Sequence, residues 1–231
     1  MRVAVPWSGG VDSSYLIYKN LMDGNEVHAV SVRLNNNPDQ RDREQSSRKI
    51  ISEWFKKEFP DKFFESDIGN EILVYGGINM VLSQPPLWVL FCHYGLNLSY
   101  VDEIHFGYIM NDDAISYLSD VENLYKSYSP FTYGKQPKLV FPLIKMKKYQ
   151  IMDKLPKFIM DNISFCEMYN NTNCSCESCK RHKFELSLSS HRMTTPAKKL
   201  SMSELGSVID TQITDSEVSH QLEIEFDYSK N

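Results

Sequence analysis

Residues 2–14 read Arg2-Val3-Ala4-Val5-Pro6-Trp7-Ser8-Gly9-Gly10-Val11-Asp12-Ser13-Ser14. The run up to Trp7 has the composition of a strand, and a helical pattern starts at Asp12, so Ser8-Gly9-Gly10 is the turn that joins them. Each residue type in the turn has a use. Glycines let the backbone approach a polyanion, exposed amides at a helix start bind phosphate oxygens, and the hydroxyls of Ser8, Ser13 and Ser14 add donors. Asp12 is placed to cap the helix and to ligand the Mg2+ that accompanies a nucleotide. A bare Gly-Gly turn is usually only a turn, but the full Ser-Gly-Gly-x-Asp-Ser string directly after a first strand points to nucleotide binding. The lysine of a Walker-type loop is missing.

Outward from this string the chain alternates. Strands are expected at 2–7, 26–34, 62–66 and 103–108, with helices at 12–23, 39–58 and 85–100. The last of these carries Leu87, Leu90, Phe91, Tyr94 and Leu98 at helical spacing and should be buried against the sheet. Such alternation predicts an α/β fold, a doubly wound parallel sheet. Residues 109–136, rich in Asn, Asp, Ser and Tyr, are expected to form a functional loop with short helices, a lid. A short strand at 138–141, a helix at 146–160, a cysteine loop at 164–180 and a helix at 181–188 follow.

The 231 residues include 30 acids and 25 bases, for a net charge of -5, which argues against an electrostatic grip on nucleic acid. Residues 201–231 hold seven of the acids and one base, Lys230, leaving 24 bases and 23 acids in the first 200. A near-neutral body with an acidic extension is the expected organisation; Leu222, Ile224, Phe226 and Tyr228 alternate as in a peripheral strand, with a solvated acidic tail the alternative. Three parts are expected: a nucleotide-binding domain over 1–163, a metal-binding loop and helix over 164–190, and the extension over 191–231. No apolar run approaches the roughly 20 residues of a membrane span, and the N-terminus has no secretory signal, so a cytoplasmic, soluble protein is expected.

Four of the five cysteines, Cys166, Cys174, Cys176 and Cys179, fall within fourteen residues, and Cys92 stands apart. In a reducing compartment such a cluster reads as a metal site before it reads as disulfides, and four thiolates make a closed, structural zinc site. The close Cys174-x-Cys176 pair is unusual, which leaves His182 open as a substitute ligand. His28, His93 and His105 read as satisfied core histidines, and Cys92 as a small core hydrophobe.

The glycine string resembles the pyrophosphate loop of ATPases that split ATP to AMP and pyrophosphate. Together with the C-terminal cysteine loop, it makes residues 2–188 similar to the 7-cyano-7-deazaguanine synthase family, as a divergent member. Gln40-Arg41-Asp42-Arg43-Glu44 resembles that family's Gln-Arg-His-Arg-x-Glu, and Phe141-Pro142-Leu143 with Lys148 resembles its Thr-Pro-Leu and following lysine. Departures are equally specific. Pro85-Pro86-Leu87-Trp88 stands where the family has Pro-Gly-Arg-Asn, Leu34-Asn35-Asn36-Asn37 replaces an aromatic-Gly-Gln turn, and the stretch from Gly107 to Asp112 keeps Gly and Asp but loses a Glu.

The resemblance implies ATP, Mg2+ and Zn2+ as cofactors, with a deazapurine acid and ammonia as small-molecule partners. It implies adenylation of 7-carboxy-7-deazaguanine, attack by ammonia to the amide, and a second adenylation and dehydration to the nitrile. Ser8, Gly9, Gly10, Asp12, Ser13 and Ser14 would hold the pyrophosphate, and backbone from Val30 to Val32 would read adenine. Lys148, Arg181 or Lys183 would neutralise phosphate charge, and Asp112, Tyr117 and Tyr128 are candidates for the acceptor. Competing readings are an enzyme that stops at the amide, a tRNA thiolase, a ligase joining the acid to a protein amine, and an inactive nucleotide-binding scaffold. A homodimer is compatible with the sequence.

Overall fold

Strand β1, Arg2–Pro6, is the hub of the molecule: its residues after the first are buried, and it pairs in parallel with β2, Glu26–Leu34, on one side and with β4, Glu103–His105, on the other. The strand β3, Phe63–Ile72, extends the sheet beyond β2, and β5, Lys138–Val140, extends it beyond β4, again in parallel. The order is therefore β3-β2-β1-β4-β5. This is the order of the doubly wound dinucleotide-binding sheet less its sixth strand. The computed structural model describes residues 1–34, 38–72, 101–110, 112–131, 134–165, 174 and 176–189. The helix expected at 85–100 with Cys92 and His93, the turn residues Asn35, Asn36 and Asn37, Cys166, and the extension at 191–231 lie outside the described residues, as do the side chains of Gln40 and Arg41. All described residues belong to one compact unit, Met1–Arg192.

Strand alternation sorts the core into two faces. Val3, Val5, Val27 and Ala29 join one buried cluster with residues of α1, Val11–Met22, and α2, Pro38–Glu58. Ala4 and Val30 join a second with Val121 and Tyr125 of α3, Leu118–Ser127. Trp7, 0% exposed, seals the first face, with its ring edge-on to Phe55 and Phe63. Burying side chains of this size is worth about 1.5 to 3 kcal/mol each, so the cluster beneath the glycine turn is a rigid support.

The segment 109–136 carries the short helices expected of it: a 3-10 turn, Asp113–Tyr117, leads into α3, whose Val121 and Tyr125 are buried. Two other expectations are corrected here. The helix expected at 146–160 is two, α4, Lys148–Met152, and α5, Lys157–Asn162. Pro156 explains the break, since it carries no N–H and disfavours helical backbone at the residue before it. The last helix, α6, is longer than expected, Glu177–Leu188, and Cys176 is its N-cap.

Candidate active site

The glycine turn sits at the carboxyl end of β1, where the strand order reverses between β1 and β4. This is the crevice in which open α/β sheets bind ligands. Gly9 has φ +85°, and a Cβ there would come within 3.0 Å of the Glu44 carbonyl and 3.1 Å of the Arg48 side chain. From across the crevice, Gly107 lies against the helix start: its Cβ would stand 3.3 Å from the Asp12 carbonyl carbon and from the Ser13 nitrogen. Gly9 requires glycine for its backbone conformation, and at Gly107 a side chain would crowd the start of the helix.

Donors hold the turn from behind. Arg48, 4% exposed, donates from Nη1 to the Ser8 carbonyl at 3.1 Å. The Ser164 N–H donates to the Gly9 carbonyl at 3.2 Å, and the single proton of the Ser47 hydroxyl is shared between that carbonyl at 3.2 Å and the Asn162 carbonyl at 2.6 Å. Within the turn, Ser13 Oγ accepts from Ser8 N at 3.3 Å and meets Ser8 Oγ at 3.1 Å, while Ser8 Oγ accepts from Gly10 N at 3.3 Å. The hydroxyls thus preorganise the backbone. Ser14 works from beneath, fully buried, its Oγ accepting from Trp7 Nε1 at 3.0 Å. Ser47, Arg48 and Ser164 are not among the site residues expected from the sequence. Only the placement of Ser47 and Arg48, three and four residues beyond Glu44 on one helix, offered a signal for two of them.

Asp12 does not cap α1, contrary to expectation. Gly10 is the N-cap and supplies no side chain, so the first-turn amides are left for a ligand, and Asp12 lies one residue inside. Its Oδ2 accepts from Lys148 Nζ at 3.0 Å, and its Oδ1 is buried with no hydrogen-bond partner. A buried carboxylate oxygen without a donor fits a metal ion, and Asp12 would hold Mg2+ there. Lys148 comes from the first residue of α4 beyond β5, so a cation arrives from the far side of the crevice where a Walker loop would carry its own.

The other expected residues have the following surroundings. Arg181 is exposed on α6, as is Lys183. The Val30 carbonyl accepts from Trp7 N at 2.7 Å, just past the last register pair of β1 and β2 and next to the glycine turn. The carboxylate of Asp112 accepts from Ala114 N at 3.0 Å, capping the 3-10 turn. Tyr117 is exposed. His105 is the satisfied core histidine expected, bonded to Asn20 and Glu103, and burial lowers its pKa. His28 bonds Glu26 and stacks on Phe64.

The sulfur atoms of Cys174, Cys176 and Cys179 lie within 4.8 Å of one another, and Cys179 is 3% exposed. A zinc ion bonded to sulfur at about 2.3 Å spaces its tetrahedral thiolates about 3.8 Å apart, so this donor set fits one ion. His182 does not join them. Its ring stacks on Phe165, with centroids 3.7 Å apart and planes at 10°, and its Nδ1 is buried without a partner.

Burial, reinforced by the Lys148 ammonium, holds the His182 imidazole down at about 4. The unfolded chain therefore takes up the proton first as the pH falls. The stability this group contributes is present above about pH 6.5 and is lost as the pH drops towards 4. An imidazole titration followed by NMR should show His182 neutral at pH 6, and an ordinary midpoint near 6.5 would contradict this environment.

No family model and no curated protein matches the chain. Solved structures with some likeness include the U34-tRNA thiolase NcsA from Methanococcus maripaludis with its 4Fe-4S cluster, at 15% identity and a TM-score of 0.48, covering 100% of this chain and 76% of that one. A predicted subunit of tRNA methyltransferase from Methanocaldococcus jannaschii is similar at 13% identity and a TM-score of 0.37, covering 66% and 74%. NMN synthetase from Francisella tularensis is similar at 13% identity and a TM-score of 0.36, covering 84% and 87%. With TM-scores below 0.5 these likenesses carry no weight, and the fold assignment stands on strand order and register. Among the described residues, no helix is long and apolar enough to cross a membrane.

Proposed function

We propose that this chain is an adenylating enzyme of the pyrophosphate-loop class, which activates a carboxylic acid with ATP and releases pyrophosphate. The observation that carries the reading is the Lys148 ammonium 3.0 Å from Asp12, at the edge of a donor-backed glycine turn at the switch point of the sheet. In the reaction a carboxylate oxygen of the acceptor attacks the α-phosphorus. The bond from that phosphorus to the bridging oxygen breaks, and pyrophosphate departs with the electron pair. The barrier is the approach of two anions and the charge on the leaving group, so catalysis is positioning and neutralisation. The first-turn amides, the loop hydroxyls and Lys148 supply both, and Asp12 would hold the Mg2+ that offsets phosphate charge.

The acceptor we propose is a 7-carboxy-7-deazaguanine-type acid: ammonia attacks its adenylate and displaces AMP to give the amide, and a second ATP then adenylates the amide oxygen, which leaves as AMP with loss of the nitrogen's protons to give the nitrile. What supports it is the set of stretches named above: the loop, Arg43-Glu44, Pro142-Leu143 with Lys148, and the thiol cluster. Cys174, Cys176 and Cys179, with Cys166 as the proposed fourth ligand, hold structural zinc. A cuboidal iron–sulfur cluster places each thiolate on a separate iron, whereas sulfurs within 4.8 Å suit a single ion.

The test is incubation with the deazaguanine acid, ATP, Mg2+ and ammonium, with products identified by mass spectrometry. AMP and pyrophosphate should form together with the amide or nitrile. ADP as the nucleotide product would remove the adenylation reading, and AMP formation that is indifferent to this acid would remove the acceptor.

A further inference from the structure

Helix α6 starts at the thiol cluster, with Cys176 as its N-cap and Cys179 in its first turn, and its His182 and Glu185 lie one turn apart on the same face. Glu185 Oε2 accepts a hydrogen bond of 3.0 Å from the backbone N–H of Tyr149. Tyr149 is the second residue of α4, and the first is Lys148, whose ammonium reaches Asp12. Three residues earlier, His182 stacks on Phe165. Phe165 follows Ser164, whose N–H donates to the Gly9 carbonyl. One face of one helix therefore touches the neighbours of both sides of the phosphate site, Tyr149 next to Lys148 through Glu185 and Phe165 next to Ser164 through His182.

We propose that α6 is a positioning helix for ATP, and that Glu185 is a positioning residue which sets the start of α4 and thereby aims Lys148 at the phosphates. The inference rests on the reading that the glycine turn binds ATP. Its physical basis is that lysine is a point charge on a flexible four-carbon stem, so its placement depends on where its own backbone is held. A carboxylate accepting an amide N–H is a strong and directional anchor. The thiol cluster pins the other end of the same helix, so the metal site and the nucleotide site are joined by a short chain of contacts: Cys179, α6, Glu185, Tyr149, Lys148, Asp12.

Mg-ATP affinity should be measured by calorimetry on the wild type, Glu185→Ala, Glu185→Gln, Lys148→Met and the double variant Lys148→Met/Glu185→Ala, with metal content and melting temperature recorded for each. Glu185→Ala should weaken ATP binding about 2- to 10-fold, the worth of one hydrogen bond. Glu185→Gln should recover most of this, since its amide oxygen still accepts from Tyr149. In the Lys148→Met background the Glu185→Ala change should have no further effect, because its target is gone. Unchanged affinity in Glu185→Ala, or the same loss in both backgrounds, would overturn the proposal. So would a loss that follows metal content and melting temperature and is not rescued by glutamine. A wild-type protein that binds no ATP would instead overturn the reading of the glycine turn, which keeps the two failures apart.

Discussion

Replacing Lys148 by Met should lower pyrophosphate release by about 10²- to 10³-fold, the usual cost of removing one preorganised donor from developing charge. The melting temperature should barely move. Lys148 and Asp12 are 25% and 24% exposed, and ion pairs open to solvent to this degree contribute about 0 to 1 kcal/mol to stability. Those two magnitudes separate function from folding, because a loss of 10² to 10³ corresponds to about 3 to 4 kcal/mol of transition-state stabilisation. Asp12→Ala should be as damaging, since it removes both the partner that steers Lys148 and the buried oxygen that would hold Mg2+. The measurement is coupled detection of pyrophosphate beside a thermal melt. Full activity in either variant would show that the crevice has been misassigned.

Cys179→Ser should act in the opposite sense, on stability first. Cys179 is buried, belongs to the trio of close sulfurs and stands in the first turn of α6, so its loss removes a metal ligand and an anchor together. A structural zinc site stabilises folding directly, by about 10 to 16 kcal/mol in peptides that have no other core. Here the sheet has its own core, so the loss should be confined to α6 and the segments it touches, seen as local loss of hydrogen-exchange protection, with bound zinc falling from about one ion per chain. Metal analysis and exchange on wild type and variant decide the matter. A wild-type protein purified without metal and with α6 fully protected would exclude a metal role for these thiols.

What the sequence disclosed depended on how local the cause was. The strand at 26–34 and the glycine turn were legible to the residue because β-branched runs and Gly-Gly punctuation act within a few positions. The thiols Cys174, Cys176 and Cys179 stand out by type and spacing, and Lys148 by the resemblance of Phe141-Pro142-Leu143 and the lysine after it to a family motif. Arg48, Ser47 and Ser164 do not, because their partners are backbone carbonyls of the glycine turn, contributed from up to 155 residues away in the chain. Nothing in a single sequence marks an ordinary serine as a carbonyl's donor. The break at Pro156 was legible and passed over, since the apolar spacing of Ile151, Met152, Leu155 and Ile159 suits one continuous helix as well as two. Asp12 was misplaced as a cap because Gly10, with no side chain to offer, occupies that position.

The carbonyls of Ser8 and Gly9 are held by Arg48, Ser47 and Ser164, so the negative poles of two peptide units in the turn are already tied down, like small magnets clamped at one end. That polarity is carried by bonds rather than by protons, so no pH in the working range can discharge it, and it needs no rearrangement when an anion arrives. A chain with a net charge of -5 can in this way hold the backbone of an anion site in place without a net positive charge of its own. The site's attraction for phosphate belongs to the geometry of the backbone, and side-chain substitutions that spare that geometry leave it in place.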